Sequence, residues 1–152
     1  MNDHAFYISN EEKRQVYAIL KAKLKVAIEQ EFYLEALLIE YAIAEDRLNS
    51  ILQHMNIRYI DNKGEEISIG RKIGKVRTLI ENQPLVAKRL STEQLDFLMQ
   101  WKDVRNSLVH RSCQRLYKNE EVRECAIAGA EVIRVLSNSS QNIKRAVEKQ
   151  IK

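Results

Sequence analysis

Apolar positions recur along this chain at the three- and four-residue spacing of helical faces. The spacing predicts a first helix opening at Ser9, where Glu12 three residues on completes a capping box, and running to about Gln30. Val16, Leu20, Leu24 and Ala27 form its expected buried row. A second helix spans about Glu31 to Met55, with Leu34, Leu37, Leu38, Tyr41, Ala44, Leu48, Ile51, Leu52 and Met55 on one broad face. That breadth marks it as the central helix. Asp61-Asn62-Lys63-Gly64 then gives the clearest turn signal of the chain, within a connection or short hairpin-like excursion.

Ser68 precedes a third, shorter helix in which Ile69, Ile73, Val76, Leu79 and Ile80 face inward, while Arg71, Lys72, Lys75 and Arg77 are expected to face outward. Gly70 and Gly74 lack the spacing of a phosphate-binding loop, since Val76 rather than Ser or Thr follows Lys75, and are read as small residues permitting close helix packing. Asn82-Gln83-Pro84 ends this helix. Ser91 and Gln94 form a second capping box ahead of a helix reaching about Arg111, expected to pack through Phe97, Trp101, Val104 and Leu108. A connection from Cys113 to Asn119 leads to a long last helix beginning near Glu120, with a bend expected at Ser137-Asn138-Ser139-Ser140. The fold class is therefore all-α, an antiparallel up-and-down bundle of four to five helices in a single domain, 1–152.

Composition agrees: 152 residues with 45% hydrophobic content suit one core, and only four Gly and one Pro disfavour a loop-rich or all-β architecture. The net charge of +4 is compatible with a polyanionic partner without demanding one. The lysines of the first helix fit either a solvated face or a surface that tracks phosphates. No apolar run is long enough to span a membrane, and Met1 to Asn10 lacks the apolar core of a secretory signal, so a cytoplasmic setting is expected. Cys113 and Cys125 do not make a disulfide framework. With His110 they lack both a fourth ligand and the usual spacing of a zinc site.

Two charges break the apolar pattern. Arg105 falls between the expected core stripe and its apolar flank at Leu98 and Val109, and Glu45 sits within or beside the apolar face of the second helix. A buried charge calls for a partner, so Glu45, or Asp46 at greater angular distance, is expected to hold Arg105. Asp103, Asn106 and His110 share the opposite, polar side, and His110 lies near a helix C-terminus, where the dipole favours positive charge.

Arg105, Asn106, Ser107, Leu108, Val109 and His110 together resemble the signature of the HEPN family (higher eukaryotes and prokaryotes nucleotide-binding), small all-helical proteins that include metal-independent ribonucleases. In that signature an Arg and a polar residue are followed by mostly apolar residues and a His. Ser112 stands where some HEPN toxins carry a Tyr. The resemblance implies an endoribonuclease in which the substrate's 2′-hydroxyl attacks the adjacent phosphate, with no metal or cofactor. His110 would act as general base or acid, and Arg105 would stabilise the phosphorane-like transition state. Asn106, Asp103 and Glu45 would be supporting residues, and Arg111, Arg115, Lys72 and Lys75 candidate RNA contacts. It further implies a homodimer with the site at the interface, and a role in phage defence or beside an antitoxin protein. The alternative is a helical nucleotide-binding or protein-interaction module without catalysis.

Overall fold

The computed structural model describes residues 9–114 and 118–152, and most of the described residues are helical. In chain order the helices are α1 (Asn10–Glu29), α2 (Tyr33–His54), α3 (Ile69–Asn82), the single turn α4 (Pro84–Ala87), α5 (Thr92–His110) and α6 (Asn119–Ile151). Local signals account for the starts of four of them. Ser9 and Glu12 cap α1 reciprocally, as Ser91 and Gln94 do α5, while the Ser68 hydroxyl accepts from the Arg71 amide to open α3. Pro84 takes the first position of α4, where its missing N–H costs no helical bond. Between α2 and α3, Gly64 turns the chain at φ 83° and an isolated bridge joins Ile60 to Glu66.

The most extensive helix contact is that of α2 with α6. Around this pair α1 packs on α2, α3 on α2 and α5, and α5 on α6, while α4 joins α3 to α6. Ala36, Leu37, Ile43, Ala44, Leu48, Ile51 and Leu52 of α2 are buried, so the central helix of the sequence reading is central here. Ser137 to Ser140 do not interrupt α6. Ser139 and Ser140 are buried, and the Ser139 hydroxyl donates to the Arg89 carbonyl at 2.8 Å. Among the described residues no helix is long and apolar enough to cross a membrane.

Several faces are rotated from their expected positions. Val16 of α1 and Leu34 and Leu38 of α2 are exposed, whereas Glu40 is fully buried. On α5, Phe97 and Val104 are 44% and 52% exposed, and the buried row is Leu95, Leu98, Trp101, Arg105 and Leu108. The inward face thus turns by roughly 60° from the expected stripe. Trp101 sets that angle, because its indole N–H must find a partner when buried and donates to the Cys125 carbonyl at 3.0 Å. Gly70 and Gly74 do not mediate close packing: an added Cβ at Gly74 would meet nothing within 4 Å, and at Gly70 only the Lys102 ammonium.

Close approach occurs instead at Gly129 of α6, where a Cβ would overlap the Glu40 carboxyl group. Gly129→Ala is therefore expected to destabilise the fold by roughly 1–3 kcal/mol, as overpacking does, since the buried Glu40 side chain would have to shift. Urea unfolding of Gly129→Ala, Glu40→Ala and the double variant checks this. The double variant should lose less than the sum of the two singles, because Ala at position 40 vacates the space; strict additivity would place the clash elsewhere.

Candidate functional site

Arg105 is only 7% exposed. It sits in the buried row of α5 because its aliphatic stem continues the apolar surface, while its guanidinium lies over the Tyr41 ring of α2 at 4.0 Å. Its Nη1 donates to Asn106 Oδ1 at 3.0 Å, and among the described residues its buried Nε has no partner. No carboxylate among the described residues lies within ion-pair distance of it. Burial pushes the guanidinium down from its ordinary pKa, against the opposing influences of Tyr41, Cys125 and Glu45. Tyr41 is pushed up by burial and by the charge of Glu45.

The expected ion pair of Glu45 with Arg105 is not formed. Glu45 binds Lys72 instead, Nζ to Oε1 at 2.9 Å, and Glu66 contacts the same ammonium at 2.5 Å. Lys72 is 0% exposed, so it is not the outward RNA contact that helical spacing suggested. It lies at the edge of the α3 apolar face between Ile69 and Ile73, and a buried ammonium without carboxylates would be untenable. Asp46 is equally occupied, holding Lys13 and Arg47 and accepting from the Tyr17 hydroxyl, which ties α1 to α2. Burial alone would raise the Asp46 carboxyl, but these bonds and the charge of Lys13 hold it below the usual range.

His110 closes α5 and is exposed, as is Asp103, whose carboxylate meets Lys102 at 2.7 Å. Asn106 is half-buried and oriented by Arg105. The helix does not fray before His110, since the Arg111 amide still bonds the Ser107 carbonyl at 3.1 Å. Arg105 and His110 therefore leave a regular helix about 140° apart, one into the core and one into solvent. Arg111 is exposed, Lys75 is half-buried, and Arg115 lies outside the described residues.

The sequence reading passed over Glu40. It lies four residues after Ala36 and three before Ile43, within the core row of α2, and among the described residues neither carboxyl oxygen has a hydrogen-bond partner. Burial pushes its pKa up to about 8. Its spacing from Ala36 and Ile43 is the signal in the sequence that marks it. Cys125 lies close by on α6, its thiol raised to about 11 by burial and by Glu40, with Arg105 opposing. Arg105, Tyr41, Glu40, Cys125 and Trp101 thus form a polar layer where α2, α5 and α6 meet. Among the described residues no group of three or more His, Cys, Asp or Glu side chains is placed to hold a metal ion.

Comparison with family models, with curated proteins and with solved structures finds no match for this chain.

The buried acid makes stability depend on pH with a definite sign. Glu40 keeps its proton in the folded state up to about pH 8 but loses it near the ordinary 4.5 when the chain unfolds. Between those values the unfolded chain binds fewer protons, so stability falls as pH rises, by about 1.4 kcal/mol per unit for this group, and levels off above the folded-state value. Urea midpoints from pH 5 to 9 should show that slope in the wild type and its loss in Glu40→Gln; equal slopes would mean that Glu40 does not titrate in this range.

Proposed function

We propose that this chain is a HEPN-type helical domain, an antiparallel up-and-down bundle that cleaves RNA without a metal. The observation carrying this reading is the uncompensated cation at Arg105. A guanidinium buried only for packing is ordinarily matched by a carboxylate, as Lys72 is by Glu45 and Glu66, whereas Arg105 has, among the described residues, a ring face and an amide oxygen. Its spare charge suits an anion arriving from outside.

In this reading His110 takes the proton of the RNA 2′-hydroxyl, whose oxygen forms a bond to the adjacent phosphorus as the bond to the 5′-oxygen breaks. The leaving oxygen takes a proton from solvent, and the upstream fragment ends in a 2′,3′-cyclic phosphate. The resemblance implies a homodimer whose shared site combines Arg105 and His110 from both copies; there Arg105 offsets charge building on the phosphoryl oxygens, and Asn106 orients its guanidinium. Arg111 and Lys75 contact the RNA backbone. RNA is thus the principal partner; the toxin or phage-defence setting, with its antitoxin, rests on the resemblance alone.

A second reading draws on the 140° between Arg105 and His110. In it the chain, with these groups on different faces, binds a nucleotide or a protein without catalysis.

Labelled single-stranded RNA incubated in EDTA tests the proposal. Wild type is expected to release cyclic-phosphate ends, and His110→Ala, altered at an exposed position, to cut about 100-fold more slowly or less while keeping its circular dichroism. Equal cutting by both removes His110 from the reaction. Absence of cutting by either across a broad RNA set assigns the chain to the binding module.

A further inference from the structure

The face of α5 that was expected to be core is the one the fold leaves uncovered. Phe97 and Val104 form an exposed apolar stripe on it, one wall of a groove whose other wall is α6. Two depressions along this groove meet at Phe97. The one towards the start of α5 has a volume of about 320 Å³ and is lined by Leu98, Val132, Val135 and Leu136. The other, of about 570 Å³, is lined by Trp101, Leu108, Cys125 and Ala128. The rim is acidic. Glu93 stands at one end and Glu121 and Glu124 at the other, all exposed, and none of the three forms an ion pair among the described residues.

Arg134 lines the first depression, but it is already bound to Glu131. The chain as a whole carries a net charge of +4, so these carboxylates reverse its sign locally. RNA is repelled here and a cationic partner attracted. A wall made of helices offers no free backbone, because amides and carbonyls inside a helix are bonded along its own axis. An extended segment laid in the groove would lose water from its backbone without gaining partners, whereas a helix brings its backbone already satisfied. The residues lining the two depressions are centred about eight positions apart on α5, roughly 12 Å at the helical rise. That matches side chains two turns apart on a docked helix, the spacing by which helices are read in grooves.

From this we infer that the groove between α5 and α6 receives an amphipathic helix of a partner protein. Two large apolar side chains of that helix, two turns apart, sit on either side of Phe97, and Lys or Arg along its flanks faces Glu93, Glu121 and Glu124. His110 and Arg111 lie outside the groove. The contact therefore does not depend on RNA cleavage and stands or falls separately from it.

Fluorescence anisotropy with the full chain and two labelled synthetic peptides tests this. One peptide is a helix former of about four turns with Leu at two positions two turns apart and Lys on both flanks. The other carries Glu in place of each Lys. At low salt the Lys peptide is expected to bind with a Kd on the order of 10 µM, and the Glu peptide about tenfold more weakly or less tightly still. Phe97→Ala should weaken the Lys peptide about tenfold, and Glu121→Gln with Glu124→Gln about fivefold. Circular dichroism should not change, since all three positions are exposed. Glu31→Gln with Glu35→Gln, which removes the same charge from exposed positions outside the groove, should leave binding within about twofold. Equal binding of the two peptides, or equal losses from the two glutamate pairs, overturns the inference. Sedimentation of the wild type as a dimer that Phe97→Ala dissociates assigns the groove to a second copy instead, and RNA binding that Phe97→Ala weakens assigns it to nucleic acid; either result overturns the inference as well.

Discussion

The approach of α2 to α6 at Gly129 is the constraint on which the other contacts depend. Only a residue without a side chain lets the Glu40 carboxyl lie against the α6 backbone, and this helix pair forms the most extensive contact in the molecule. Once α6 is seated at that depth, its Cys125 carbonyl is in place to accept from Trp101, which fixes the rotation of α5. That rotation turns Arg105 inward onto Tyr41 and leaves Phe97 and Val104 outside. The buried guanidinium and the exposed stripe are two consequences of one packing angle.

Two buried cations have been accommodated differently. Lys72 carries a localised charge and meets two carboxylates from α2 and the α2–α3 connection. Arg105 has a flat, weakly hydrated guanidinium that stacks on a ring, so it tolerates burial with less compensation. Nearby, Glu40 relieves its own burial by holding a proton. The layer between α2, α5 and α6 therefore contains one charge that is not cancelled, and the functional proposal rests on that asymmetry.

Helix ends were legible because their determinants are local. Ser9 with Glu12, Ser91 with Gln94, Ser68, Pro84 and the Asp61–Gly64 turn each act over three or four residues, and each appears where its chemistry requires. The site was legible only as a set of candidates. Arg105 was singled out correctly as a charge out of pattern, but the partner assigned to it, Glu45, belongs to Lys72, and Glu40 went unnoticed. Pairing across helices separated by tens of residues leaves no periodic trace in either helix.

By itself, then, the sequence determined that the chain is helical and where α1, α3 and α5 start, because capping and turn formation are settled by neighbouring backbone groups. Which apolar residues face the core was decided by tertiary structure. Helices such as α5 carry apolar side chains around more than one face, so periodicity permits several rotations, and the choice falls to distant groups: an indole N–H that needs an acceptor, a glycine that admits a carboxyl group, a lysine that needs two acids. Those same choices decided that Arg105 is buried, His110 exposed, and the Phe97–Val104 stripe left open to solvent.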